Sequence, residues 1–160
     1  ARRRHRVRDN VAAWARRRLD GPLTVVHGDF RLDNLLFAPG ADGGSVQVTT
    51  VDWQTVALGI GTDDVAYFLG AGLLAHDRRD HEEALVRRYH DGLVARGVQG
   101  YSWERCWDDY RRFSLSGLQM AVIASMIVRA DDRGDAMFLA MAERHTAQAL
   151  DLGAHDLLPA

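Results

Sequence analysis

The sequence predicts one α+β domain that is mainly helical, with a small cluster of strands near its beginning. Short β-branched runs separated by turn residues occur within residues 23–52, and from Thr62 onward apolar residues recur at helical spacing. Strands do not alternate with helices along the chain, which argues against a Rossmann-like sheet. A length of 160 residues suits a single domain with a substantial core.

The first predicted element is a helix over residues 9–19. Val11 and Trp14 fall on one side of it, and the turn sequence Asp20-Gly-Pro22 ends it. Three short strands follow, and their β-branched residues define them. They cover residues 23–27, 35–37 and 45–52. The turn-rich segment 39–44 predicts that the second and third strands form a hairpin.

Four helices are predicted in the rest of the chain. Their expected ranges are residues 64–74, 81–96, 103 to about 129 and 135 to about 152. The second range shows the pattern well, with Leu85, Tyr89 and Leu93 at i, i+4 and i+8. Cys106 falls between Trp103 and Trp107 and is expected in the core.

Composition excludes several classes of function. All 20 basic residues are arginine, so the chain has no Walker A lysine and no Schiff-base lysine. A single cysteine excludes an internal disulfide framework and a Cys-rich zinc site, and it fits a reducing compartment. We find no membrane-spanning stretch and no signal peptide. We therefore expect a cytoplasmic protein with no membrane partner.

Charge is distributed unevenly along the chain. Residues 1–18 hold eight arginines and one aspartate, while the remainder holds 12 arginines and 21 acidic residues. The basic start could contact nucleic acid. No aromatic platform is interleaved with it, and the acidic balance of the remaining chain opposes such contact. We expect no nucleic-acid partner.

The residues with the strongest chemical pattern are His27-Gly-Asp-Phe-Arg-Leu-Asp-Asn34, followed by Asp52. A strand ends at His27, and Gly28 permits a turn that a side chain would obstruct. Because the hairpin returns the chain, oxygen-bearing side chains of Asp29, Asn34 and Asp52 can converge at one end of the strands. Carboxylate and amide oxygens suit Mg²⁺. A further carboxylate can accept a proton from an attacking hydroxyl.

These motifs resemble those of the aminoglycoside phosphotransferase and choline kinase superfamily. The resemblance rests on His27-Gly-Asp29 with Asn34, Val51-Asp-Trp-Gln54 and Gly61-Thr-Asp-Asp-Val-Ala-Tyr-Phe68. Asp-Trp-Gln and Asp-Val-Ala-Tyr-Phe-Leu are similar to the ecdysteroid-kinase-like branch. The resemblance implies a protein-kinase-like C-terminal lobe, in which helices pack around a small β-hairpin cluster that carries the catalytic loop.

The resemblance also implies roles for individual residues. Asp29 would be the catalytic base that orients the acceptor hydroxyl, while Asn34 and Asp52 would hold Mg²⁺ that accompanies ATP. Support of the catalytic loop would fall to His27, Gly28 and Asp64. Asp64 would accept backbone hydrogen bonds from the loop. Asp63 and Asp64 also follow Thr62 at a helix start, where acidic residues favour the helix dipole, so a purely structural role stays open.

The acceptor implied by the resemblance is a small molecule with a hydroxyl group, whose binding residues are unknown. Asp108, Asp109 and Tyr110 could face a substrate cleft, since the superfamily builds its acceptor site from later helices. A solvated helix face fits their pattern better.

One departure from the superfamily pattern concerns the nucleotide. Kinases of this type grip ATP with a lysine in an amino-terminal lobe, and this chain has no lysine and about 22 residues before its first strand. We therefore expect residues 1–160 to be a C-terminal lobe without its nucleotide-binding lobe, weakly active or inactive alone. Exposed apolar surface would then favour self-association. A non-catalytic kinase-like binding or scaffold module is the alternative.

Overall fold

The computed structural model describes residues 21–41, 43–127 and 132–157. Within these ranges the chain forms four strands and four α-helices, so it is α+β and mainly helical. The strands are β1 (Leu23–Val26), β2 (Leu35–Pro39), β3 (Val46–Thr50) and β4 (Ala57–Ile60). The helices are α1 (Thr62–Gly72), α2 (Ala75–Ala95), α3 (Trp103–Ile127) and α4 (Asp132–Asp151). The described 3₁₀ turns are Leu32–Asn34, Trp53–Thr55 and Ala154–Leu157.

The strands form two separate antiparallel pairs. The β2–β3 hairpin was expected, and it pairs Leu35 with Thr50. Strand β3 ends at Thr50 and not at Asp52, because Asp52 adopts a left-handed backbone conformation that takes the chain out of the ladder. Strand β4 was not predicted. Its sequence, Ala-Leu-Gly-Ile, does not alternate, yet it pairs with β1, so the hairpin is inserted between two paired strands.

The helices begin and end close to the predicted positions, with one exception. Helix α2 starts at Ala75, six residues before the predicted start. Arg78 explains the difference, because this arginine is buried and pairs with Glu82 and Asp151. A charged residue on the buried face hides the apolar periodicity of that turn. The helix predicted over residues 9–19 lies outside the described residues.

The core lies where α1 packs against α3 and α4. Cys106 is fully buried there, as expected, together with Ile60, Tyr110 and Phe113. A smaller cluster joins Tyr67 of α1 to Ala121 of α3 and Met141 of α4. This second cluster lies behind the loop between β1 and β2.

The β2–β3 hairpin leaves apolar side chains in solvent. Phe37, Val46 and Val48 share one face of it and are each about half exposed or more, at 58%, 66% and 49%. Self-association through such a surface stays a prediction. Among the described helices, none is both long and apolar enough to cross a membrane.

Candidate functional site

His27 holds the conformation of the loop that follows β1 through hydrogen bonds to the backbone. This histidine is buried, and its Nδ1 accepts a hydrogen bond from the Asp29 backbone N–H at 3.3 Å. The proton therefore belongs on Nε2, which donates to the Val51 carbonyl at 2.9 Å. The Trp53 ring also lies against the imidazole, with centroids 4.8 Å apart. His27 thus links the loop to the end of β3 and has no free nitrogen to carry a substrate proton.

Gly28 is required by both conformation and space. Its φ is +80°, and a Cβ at this position would lie 2.7 Å from the Thr55 carbonyl oxygen. Thr55 also donates its hydroxyl to the His27 carbonyl at 2.7 Å. The loop is therefore packed closely against the turn that follows Asp52.

Asp64 holds the same loop from the first turn of α1. Its Oδ2 accepts the His27 backbone N–H at 2.7 Å, and its Oδ1 accepts the Gly28 N–H at 3.0 Å. Burial raises the pKa of Asp64, and the two backbone hydrogen bonds oppose that rise. These are the backbone contacts that the sequence resemblance assigned to Asp64.

Among the described residues, two hydrogen bonds and one ion pair reach the Asp29 carboxylate. Tyr67 donates its hydroxyl to Oδ1 at 3.0 Å, and Asn34 donates its amide to Oδ2 at 3.1 Å. Arg31 Nε lies 3.4 Å from Oδ2. The side chain is 22% exposed, so a small molecule can reach it. A fixed, accessible carboxylate of this kind can orient a hydroxyl group and accept its proton.

The pairing of β2 with β3 brings Asn34 and Asp52 close to each other. The Val51 N–H donates to the Asn34 carbonyl at 2.9 Å, and Asp52 follows directly. The Asn34 amide nitrogen contacts Asp29, which leaves its amide oxygen without a hydrogen bond to the described residues. Asp52 is exposed, and its carboxylate has no hydrogen bond or ion pair with them either.

This donor pair fits Mg²⁺ chemically, because one amide oxygen and one carboxylate leave further coordination positions for water and phosphate oxygens. The described residues contain no group of three or more His, Cys, Asp or Glu side chains arranged to hold a metal ion. Any cation bound by Asn34 and Asp52 would therefore depend on ligands from elsewhere.

The acceptor candidates on α3 have other surroundings. Asp109 is buried and accepts the Tyr101 hydroxyl at 3.0 Å, while Tyr110 is buried and donates to Glu82 at 2.8 Å. The expectation of a solvated helix face is wrong for both, because this side of α3 packs against α2 and the segment that contains Tyr101. It holds for Asp108, which is exposed.

A cavity of about 140 Å³ lies beside the loop, between α1 and α3. Its wall includes Gly28, Asp64, Tyr67 and Ser116, with Met120 among the apolar members. The buried Ser116 hydroxyl has no hydrogen-bond partner among the described residues. A ligand that carries a polar group could satisfy it.

Sequence reasoning missed two residues of this site, Tyr67 and Thr55. Tyr67 follows Asp64 by three positions on α1, a spacing that puts both side chains on one helix face. That spacing was the available signal. Thr55 offered none, since its role depends on the close approach of two loops.

The structure is thus a mainly helical domain in which hydrogen bonds from α1 hold a loop that carries an accessible aspartate. The sequence model of the ecdysteroid kinase-like family matches residues 2–98, which is more than half of the chain. The chain belongs to that family, which is part of the protein-kinase-like and choline kinase superfamily. At the level of the family this makes it a kinase-like phosphotransferase. No curated protein and no solved structure shows a significant match.

Proposed function

We propose that this chain carries the catalytic loop of an ATP-dependent phosphotransferase, in the arrangement of a protein-kinase-like C-terminal lobe. Its reaction moves the γ-phosphate of ATP to the hydroxyl group of a small molecule. The observation that carries the proposal is the placement of Asp29. Its carboxylate is fixed and accessible on a loop that Asp64 and His27 brace. Asp52 nearby is exposed, and its carboxylate has no hydrogen bond or ion pair with the described residues.

In this proposal Asp29 orients the acceptor and takes its proton. The acceptor hydroxyl donates a hydrogen bond to the carboxylate, and its proton passes to Asp29 as its oxygen bonds to the γ-phosphorus. The bond from that phosphorus to the β,γ-bridging oxygen breaks, and ADP leaves. Asn34 and Asp52 would hold Mg²⁺, which neutralises phosphate charge when bound. His27 and Gly28 keep the loop in register and take no part in proton transfer.

The cavity between α1 and α3 gives the acceptor a place beside the loop. Asp64 and Tyr67 connect its wall to the catalytic loop, and Met120 offers an apolar surface. The unpartnered Ser116 hydroxyl would bind a polar group of the acceptor. The proposed acceptor class is therefore a small alcohol with an apolar portion.

Phosphate transfer from labelled ATP tests the proposal, with ecdysone, choline, glucose and kanamycin as acceptor probes in the presence of Mg²⁺. We expect Asp29→Asn to lower the transfer rate by about 10²-fold or more, because the proton acceptor is lost. Asp33→Asn is the matched control on the same loop, since Asp33 is 64% exposed, and we expect its rate to stay within about twofold of wild type. A measurable wild-type rate that Asp29→Asn leaves unchanged would contradict the proposal.

A further inference from the structure

We propose that Tyr67 is the residue that positions the Asp29 carboxylate, and that His145 holds the Tyr67 ring in place. The inference rests on the proposed function and adds a residue to it. Among the described residues, Tyr67 is the hydrogen-bond donor to Asp29 that lies outside the catalytic loop. It is 38 positions away from Asp29 in the sequence. Arg31 and Asn34 belong to the loop itself and contact the other carboxylate oxygen. Tyr67 therefore ties the carboxylate to a separate helix.

The protonation state of Tyr67 suits a donor. Burial raises the pKa of its hydroxyl, and the negative charge of Asp29 raises it further. The hydroxyl therefore keeps its proton throughout the neutral range. A carboxylate can only accept at that oxygen, so the direction of the hydrogen bond is fixed.

The Tyr67 ring is held in place by close packing. It is 5% exposed and stacks on the His145 ring, with centroids 5.4 Å apart and planes inclined by 4°. Two glycines leave the space for this imidazole. A Cβ at Gly70 would lie 2.4 Å from His145 Nδ1, and a Cβ at Gly117 would lie 2.0 Å from its Cε1. Any larger residue at either position would displace the histidine.

The His145 ring is uncharged. Gln148 donates its amide to the Ala66 carbonyl at 3.1 Å and to the Tyr110 hydroxyl at 3.0 Å. Its amide oxygen therefore accepts the His145 Nδ1–H at 3.3 Å. The remaining nitrogen, Nε2, is buried without a partner among the described residues. Burial lowers the pKa of His145 to about 4, so it adds no charge near Asp29.

These contacts give Tyr67 a function beyond packing. A base acts on its substrate only when its oxygen lies within hydrogen-bond reach in the right direction, and a displacement of about 1 Å can cost about 10²-fold in rate. Without the Tyr67 hydroxyl, the described contacts that hold the carboxylate would come from the loop itself: the Asn34 hydrogen bond and the Arg31 ion pair, both at Oδ2. Oδ1 would then be free to rotate toward solvent.

The first test reads the contact itself and needs no nucleotide. In the chain labelled with ¹³C at tyrosine Cζ, Tyr67→Phe identifies the Tyr67 signal among the four tyrosines. At pH 7 we expect Asp29→Asn to shift the Tyr67 Cζ signal, because the charged acceptor of its hydroxyl hydrogen bond is removed. Asp33→Asn removes the same charge from an exposed position of the loop and should shift that signal much less. An unchanged Tyr67 Cζ signal in Asp29→Asn would overturn the proposal.

The second test is kinetic and uses Mg·ATP hydrolysis, with water as the acceptor. We expect Tyr67→Phe to lower kcat by about 10- to 100-fold with an unchanged KM for Mg·ATP, since the hydroxyl acts on the base and not on nucleotide binding. Tyr89→Phe is the control for loss of a tyrosine hydroxyl from a partly buried side chain that packs against the core, and it should keep the wild-type kcat.

Failure of the positioning role of Tyr67 can be distinguished from failure of the proposed function. Wild-type kcat in Tyr67→Phe, with loss of activity in Asp29→Asn, would overturn the positioning role and leave the proposed function standing. Measurable hydrolysis that Asp29→Asn leaves unchanged would instead refute the proposed function. The Tyr67 Cζ signal would then still decide whether Tyr67 holds Asp29.

Discussion

At the scale of single residues, the site depends on backbone conformation as well as side-chain chemistry. Asp52 has φ of +64° and ψ of +59°, and among the described residues it is the non-glycine residue with positive φ. This conformation costs an L-residue about 1–2 kcal/mol and persists only when its surroundings impose it. It ends β3 and turns the chain into the 3₁₀ helix Trp53–Thr55. The strained conformation places next to Asn34 a carboxylate that has no partner in the part of the chain that the structure describes.

His145 provides a prediction at this scale that concerns stability. Its pKa is about 4 in the folded protein and 6.5 without perturbation. Between these values the unfolded chain binds a proton that the folded protein does not, so stability falls as the pH falls from about 6.5 to about 4. The expected loss is about 3 kcal/mol.

Urea unfolding of wild type and His145→Gln at pH 7 and pH 4.5 measures this term. We expect the free energy of unfolding of wild type to fall more steeply, by up to about 3 kcal/mol, because only wild type carries the buried titrating group. His76→Gln is the control, since that side chain is 72% exposed, and it should keep the wild-type slope. Equal slopes for wild type and His145→Gln would show that the histidine is not buried and neutral.

At the scale of elements, the site is supported by the contact of α1 with α3 and α4. Gly70 of α1 and Gly117 of α3 face the same imidazole from α4. Glycine in a helix costs about 1 kcal/mol relative to alanine. The cost is offset here because the three helices approach closely enough to enclose His145 and to press Tyr67 toward Asp29.

Alanine substitution of a helical glycine should have opposite effects on stability at Gly117 in α3 and at Gly92 in α2. Gly117→Ala places a Cβ 2.0 Å from His145 Cε1, so we expect a loss of about 1–3 kcal/mol in the free energy of unfolding. Gly92→Ala in α2 meets only the flexible end of Arg96 at 3.3 Å, and we expect a gain of up to about 1 kcal/mol. Thermal or urea unfolding measures both. A Gly117→Ala protein as stable as wild type would show that the space around His145 is larger than described.

At the scale of the whole molecule, the sequence predicted the fold class, the β2–β3 hairpin and the helices α1, α3 and α4 with small errors at their ends. Asp29, Asn34 and Asp52 could be selected as candidate site residues because the hairpin lets their oxygen-bearing side chains converge. Asp64 could be selected from the family resemblance. Strand β4 could not be predicted, since it depends on pairing with β1. The spacing of Tyr67 from Asp64 was visible, but its contact with Asp29 depends on how α1 packs behind the loop. The early start of α2 was hidden by the buried ion pairs of Arg78.

The candidate site residues Asp29 and Asp52 lie on the side of the molecule that the strands form. The two strand pairs present the loops with Asp29 and Asp52, while α3 and α4 form the support behind α1. The loop residues are tied to this support through Asp64 and Tyr67. Under the proposed function, a phosphate donor would meet the molecule from the side of the strands, where Asp52 is exposed.

Calorimetric binding of Mg·ATP to wild type and to Asp52→Ala tests the central claim most directly. We expect binding by wild type that disappears without Mg²⁺ and in Asp52→Ala, because the carboxylate supplies one of the two proposed metal ligands. Asp91→Ala, which removes a 70% exposed carboxylate from α2, should bind as wild type does. Binding that Asp52→Ala leaves unchanged would contradict the account, since Asp52 would then not hold the metal.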